Sequence, residues 1–245
     1  MSNIRTRPIL VAFCLMLPLA QAQARDLKAS LPFPLAPLVE SKDEGILVDL
    51  LRAMAEEYKD GKITWEVAPF QRSMENVQSG KADFHMPQLV NPKLSPDSLP
   101  FAFSSESIFE VIFALYTNKN NKDINPSNAS SYKIESNLGT MNFFDFKVSG
   151  SSDVESSLRK VDLGRIDGWL FAMPESDMLL KKLGLKNIKR WEFAKYDVRI
   201  VLHKDAQGKE VDKILSNLIQ KLKASGKYQK IMAPILNQKF DPWQP

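Results

Sequence analysis

A seven-residue pattern occurs twice in this chain and narrows what it can fold into. Val77-Gln78-Ser79-Gly80-Lys81-Ala82-Asp83 is echoed by Val161-Asp162-Leu163-Gly164-Arg165-Ile166-Asp167. Both read Val-x-x-Gly-[Lys/Arg]-x-Asp, and each is followed by apolar residues and then Met-Pro, at Met86-Pro87 and Met173-Pro174. Such a segment closes a helix and opens a strand. The glycine supplies the left-handed residue of a helix C-terminus, and the basic side chain after it lies near the orphan carbonyls. The runs Phe84-His85-Met86 and Trp169-Leu170-Phe171 then suit buried strands. One copy alone is ordinary helix-to-strand turn chemistry. Two copies, 84 residues apart, predict two α/β lobes of similar build.

The first residues read as a targeting segment. Arg5 and Arg7 precede the apolar run from Ile9 to Ala20, and Ala22-Gln23-Ala24 gives a small-x-small site before Arg25. That is the layout of a secretory signal peptide over residues 1–24. A spanning helix needs about 20 apolar residues, and this run is shorter and interrupted by Pro18. Cys14, the single cysteine, lies inside the run and not after a lipobox. The mature chain is therefore expected to hold no disulfide, and about 220 residues can bury a sufficient core without one. Removing Arg5 and Arg7 from the 33 basic residues leaves 31 against 29 acidic ones, a formal charge of +2. The cluster Lys181, Lys182, Lys186, Lys189 and Arg190 reads as a solvated face, so no nucleic-acid partner is expected.

Along the chain, Ser41-Lys42-Asp43-Glu44 fits a capping box ahead of a helix whose Leu47, Leu50, Leu51, Met54 and Tyr58 share one face, with Gly61 ending it. Ile63–Val67 reads as a strand, and a helix from about Gln71 to Ser79 leads into the first repeated turn. Ile108–Thr117 is long enough to pass from one lobe to the other, and Val198–Leu202 can return the chain. Asp153–Leu163 and Asp177–Leu183 read as helices, and Val211, Leu215, Leu218 and Leu222 mark a last long one before a break at Gly226.

The ordered series resembles a known family. Gly45-Ile46-Leu47-Val48-Asp49-Leu50, the first Gly-Lys-x-Asp, Phe103-Ser104, Leu138-Gly139-Thr140 and Gly226-Lys227-Tyr228-Gln229-Lys230-Ile231 resemble, in that order, elements of the periplasmic solute-binding proteins that capture polar amino acids for ABC transporters. The resemblance covers essentially the whole mature chain. It implies the α/β two-lobed periplasmic-binding-protein fold, type II, with two crossover strands. Lobe 1 would hold residues 25–108 and 199–245, and lobe 2 residues 109–198.

The departures from the family pattern bear on the ligand. Amino-acid binders of the family carry a carboxylate-pairing arginine in a Thr-x-x-Arg stretch. Here Asn91-Pro92-Lys93-Leu94 puts Leu94 at that position, with Lys93 beside it. They also carry an ammonium-binding aspartate five residues after the second Gly-Arg-x-Asp, where Ala172 stands here, with Glu175 close by. A buried charged ligand needs paired partners, so the usual amino-acid pocket is not expected.

The candidate binding residues are then Phe33, Phe70, Arg72, Gln88, Gly139 and Thr140. Pro69-Phe70-Gln71-Arg72 resembles a Pro-Trp-x-Arg variant in some members, and Arg72 is a candidate bidentate anion contact; pairing with a nearby surface acid is the alternative. Phe33 and Phe70 are either ligand walls or plain core aromatics. Gly139 and Thr140 offer a backbone N–H and a hydroxyl at a helix N-terminus, and Gln88 offers one polar contact. Trp169 reads as core.

The expectation is a monomeric periplasmic protein that captures a small polar, anionic solute by hinge closure, does no chemistry, and uses neither cofactor nor metal. Its partner would be an ABC permease. A ligand-sensing module for a membrane receptor is the first alternative. The second is a dehydratase-type enzyme, since a few proteins on this scaffold dehydrate ring carboxylates; Glu175 would be its general acid or base. His85 and His203 have no partner at metal-ligand or catalytic spacing and read as structural.

Overall fold

Both copies of the repeated turn deliver the chain into one sheet. In chain order the elements are β1 (Leu27–Pro32), α1 (Ile46–Glu57), β2 (Ile63–Ala68), α2 (Phe70–Gln78), β3 (Phe84–Leu89), β4 (Ala102–Asn118), β5 (Ile134–Asn137), β6 (Ser149–Ser151), α3 (Val154–Asp162), β7 (Gly168–Ala172), α4 (Met173–Leu183), β8 (Ile188–Leu202), α5 (Ala206–Ala224) and α6 (Lys227–Leu236). The computed structural model describes residues 25–121 and 123–237, so the expected signal peptide and the last eight residues assigned to lobe 1 lie outside it. The strands of the described residues form a sheet in the order β2-β1-β3-β8-β4-β7-β5-β6.

The two turns are alike down to single hydrogen bonds. Gly80 and Gly164 sit at φ +72° and +66°, where a Cβ would be strained. Their N–H groups donate to the carbonyls of Val77 and Val161, each at 3.0 Å. Asp83 then clasps the head of β1: its N–H donates to Lys28 O and its carboxylate accepts from Lys28 N, both 2.8 Å. Asp167 holds Lys133, just before β5, through the same pair at 3.0 and 2.8 Å. Asp83 carries more, because it also accepts from Arg25 at 2.8 Å and Gln207 at 3.3 Å. We expect Asp83→Ala to cost about 2–3 kcal/mol and Asp167→Ala about 1–2 kcal/mol, since each leaves a strand-head N–H without its acceptor. Urea denaturation of both variants checks this, and a larger loss for Asp167→Ala would contradict the ranking.

β4 and β8 are the long strands, antiparallel from Ala102↔Leu202 to Asn118↔Ile188. β3 pairs with one end of β8 and finishes at Leu89↔Val198. β7 pairs with the other end of β4 and finishes at Ala172↔Phe113. Between these limits, residues 110–112 of β4 and 195–197 of β8 pair with no third strand, although Asp197 O also accepts from the Val90 N–H, just past β3, at 2.9 Å. β3 runs along β4 toward β7, and β7 runs back toward β3, because each is antiparallel to one long strand. The carboxyl ends of the parallel sets β1–β3 and β5–β7 therefore face one another across a two-stranded ribbon. This is the two-lobed, type II periplasmic-binding-protein fold with two crossover strands.

Helix α1 buries Leu47, Val48, Leu50, Leu51 and Met54 as its periodicity requires. Its start differs from expectation. Gly45 is the N-cap and no side chain caps the helix; Ser41 instead accepts from the Asp43 N–H at 3.1 Å within the preceding turn. The helix ends at Glu57, before Gly61, which packs where a Cβ would lie 2.2 Å from the Arg25 carbonyl oxygen. α4 starts at Met173, earlier than read from sequence, with Pro174 in its first turn where the missing N–H costs nothing. β8 begins ten residues before Val198, because pairing along all of β4 extends it beyond its β-branched run. Among the described residues, no helix is long and apolar enough to cross a membrane.

Candidate functional site

In open α/β sheets ligands bind outside the carboxyl ends of the parallel strands, where helix N-termini converge. Here two such edges face each other. Phe33 follows β1, and its N–H donates to Ala68 O, the last residue of β2, at 2.8 Å. Phe70 opens α2. Gln88 lies in β3 opposite Arg199. On the other side, Leu138-Gly139-Thr140 follows β5 and Met173-Pro174-Glu175 follows β7.

Four of the seven large apolar side chains that stand exposed among the described residues follow these strand ends: Phe33, Phe70, Leu94 and Leu138, at 40%, 49%, 42% and 59%. Phe33 and Phe70 are thus not core aromatics. Phe70 rests edge-on against the His85 ring, centroids 5.4 Å apart. His85 itself is fully buried. Its Nδ1 accepts from the Ser73 hydroxyl at 2.6 Å and its Nε2 donates to the Pro87 carbonyl at 3.1 Å, an assignment that satisfies both partners of a neutral ring. Burial lowers its pKa to about 4, and the Pro87 hydrogen bond opposes only part of that. Trp169 is buried as expected, donating to Ser176 at 3.2 Å.

The donors behind the anion expectation are engaged or exposed. Residues Leu138–Phe143 form a 3-10 helix, and the Asn137 carboxamide oxygen accepts the Gly139 N–H at 2.9 Å. The Thr140 hydroxyl is buried, donating to Asn137 O at 3.1 Å beside the Ser136 hydroxyl at 3.0 Å. Arg72 is 62% exposed with Nε 3.6 Å from Glu75, a surface pair of the alternative kind. Such pairs contribute little.

Two acceptors differ. Gln88 donates to Leu89 O at 3.1 Å, but its Oε1 is buried with no partner among the described residues. Glu175, in the first turn of α4, has no hydrogen bond or ion pair to any described residue. Burial raises its carboxyl above the usual carboxylate range, against the lowering that a helix N-terminus alone would produce.

The two edges touch through residues that no sequence signal marked as partners. Lys93 Nζ lies 2.5 Å from Asp145, and Asn91 donates to Asn142 O at 3.5 Å. A cavity opens on the ribbon, lined by Glu110, Ile112 and Lys195 together with Pro174 and the end of α6 at Ile235 and Leu236. None of the six candidate residues lines it. No cluster of His, Cys, Asp and Glu among the described residues could hold a metal ion.

The sequence model of the bacterial extracellular solute-binding proteins, family 3, matches residues 31–238. The chain belongs to that family. Solved structures share the fold of this solute-binding protein at low identity. One is a histidine kinase sensor domain similar to periplasmic binding proteins, with TM-score 0.69, 15% identity, and coverage of 87% of this chain and 97% of that one. Another is an ancestral amino acid-binding protein, a precursor of cyclohexadienyl dehydratase, at 0.64 and 18%, covering 86% and 94%. A third is an ABC uptake transporter substrate-binding protein from Streptococcus pneumoniae with bound histidine, at 0.66 and 15%, covering 87% and 93%. No curated protein sequence matches the chain.

Proposed function

We propose that this protein captures a small polar solute in the periplasm by closing its two lobes about the β4/β8 ribbon, and delivers it to an ABC permease without chemical change. The observation that carries the reading is the pair of facing carboxyl edges separated by a short stretch of the β4/β8 ribbon that pairs with no third strand. A two-stranded segment has few constraints on bending, while each lobe is held by a packed sheet and helices. The lobes would be residues 25–108 with 199–245, and residues 109–198. Closure would bury the half-exposed Phe33 and Phe70 against the solute, and the Lys93–Asp145 contact would tie the edges. The signal peptide over residues 1–24 would place the mature chain outside the inner membrane.

The likeness to a histidine kinase sensor domain favours a second reading, in which the closed form is presented to a membrane receptor. Both readings use the same switch.

Donor and acceptor dyes on Lys42→Cys and Lys147→Cys, two exposed sites on opposite lobes, test the closure. The native Cys14 lies in the expected signal peptide, so the mature chain brings no competing thiol. A solute that raises the thermal midpoint must also raise energy transfer, reversibly on dilution. Stabilisation with unchanged transfer would show binding without closure and sink the proposal.

A further inference from the structure

The cavity on the β4/β8 ribbon joins elements that lie far apart in the chain. It has a volume of about 180 Å³, and its apolar wall is Ile112, Pro174, Ile235 and Leu236, with Glu110 and Lys195 as its charged residues. Ile112 and Lys195 pair directly and Glu110 precedes Ile112 by two, so strand alternation sets all three on one face of the ribbon. Leu236 is 43% exposed although it lines this space. Neither Glu110 nor Lys195 has a side-chain hydrogen bond or ion pair to any described residue. Pro174 stands in the first turn of α4, whereas Ile235 and Leu236 end α6. Whatever fills the cavity therefore touches both helices and the ribbon at once.

The chain itself supplies an occupant. α6 ends at the cavity wall, and the sequence continues as Gln238-Lys239-Phe240-Asp241-Pro242-Trp243-Gln244-Pro245. Trp243 is six residues beyond Asn237, a span of up to about 20 Å when extended, which is ample for a return to a wall that includes Leu236. An apolar cavity of about 150 Å³ takes a benzene ring, so the size suits one aromatic side chain. The charges match as well, since the segment brings Lys239 and Asp241 and the wall brings Glu110 and Lys195. We propose that residues 238–245 fold back over the ribbon and seat Trp243 in this cavity, with Lys239 toward Glu110 and Asp241 toward Lys195. An extended segment puts Lys239, Asp241 and Trp243 on one side and Phe240 on the other, which selects Trp243. The docked segment ties the end of α6 to the first turn of α4, whatever solute the protein takes.

The test uses the mature chain over residues 25–245, which holds no thiol once Cys14 leaves with the expected signal peptide. Asp241→Cys is combined with Lys195→Cys, and in a control with Lys230→Cys, an exposed site seven residues back along α6 and about 10 Å from Asn237. On mild oxidation the first pair is expected to form an intramolecular disulfide at least tenfold faster than the control. Equal rates would mean that the segment reaches both sites and docks at neither. A disulfide-linked dimer formed in place of the monomer would put a second copy's segment in the cavity. Either result overturns the proposal. Trp243→Ala in the thiol-free chain should lower the thermal midpoint by about 2–4 °C or more. It should also remove a blue-shifted component of the tryptophan emission that acrylamide does not quench, whereas Gln244→Ala should do neither. An unchanged midpoint, or loss of only a freely quenched component, overturns the proposal as well.

Discussion

Phe113→Ala is expected to be among the most damaging single substitutions, costing about 3–5 kcal/mol, the usual range for emptying a buried aromatic site. Phe113 has no exposed surface. Its ring meets Tyr196 at 4.7 Å, Phe171 at 5.5 Å and Phe144 at 6.4 Å between centroids, and its backbone pairs with both Ala172 and Ala194. It therefore sits where β7 ends and the ribbon begins. Tyr196 in turn packs on Phe143 at 5.2 Å, so the loss is expected to reach the segment that carries Gly139 and Thr140. Urea denaturation measures the stability. A control at the half-buried Phe193, which touches Phe144 and Phe146, should lose less than half as much. A Phe113→Ala cost under about 1 kcal/mol would mean the cluster relaxes into the space, and that the ribbon end is not held by it.

The second large effect is a loss of stability in mild acid that originates at His85. The unfolded chain takes up the proton near pH 6.5, whereas the buried ring resists it until about pH 4. Between those values the unfolded state binds more protons, so stability is complete above pH 6.5 and falls as the pH drops toward 4. The difference corresponds to about 3 kcal/mol. His85→Asn, which keeps an acceptor for Ser73, should be less stable than the parent at pH 7.5 yet show a flatter decline between pH 7 and 5. Parallel curves for the two proteins would show that other groups carry the acid response. Because Phe70 rests on His85, the parent should also lose ligand affinity over the same interval.

Some features followed from sequence alone because they depend on neighbours along the chain. The Gly80 and Gly164 turns need one left-handed residue between a helix and a strand, and both occur where the pattern put them. The inward faces of α1 and α5 repeat at helical spacing, and their apolar residues are buried accordingly. The order of these pieces carried the family and the type II fold. The extents of α4 and β8 did not follow, because Pro174 reads locally as a break and only pairing with β4 extends β8.

The chemistry of the site was decided elsewhere. Sequence spacing showed that Gly139, Thr140 and Arg72 could donate, but not that Asn137 already accepts from Gly139 or that Arg72 stands at the surface. Nor could it distinguish Glu175, which found no partner, from the neighbouring Asp177, which is held by Arg190 and Tyr116. Local propensity is a property of adjacent residues, so the sequence determines turns, amphipathic faces and their order. Whether a polar group is satisfied depends on which distant atoms the closed sheet brings within 3 Å or so of it, and only the tertiary structure decides that.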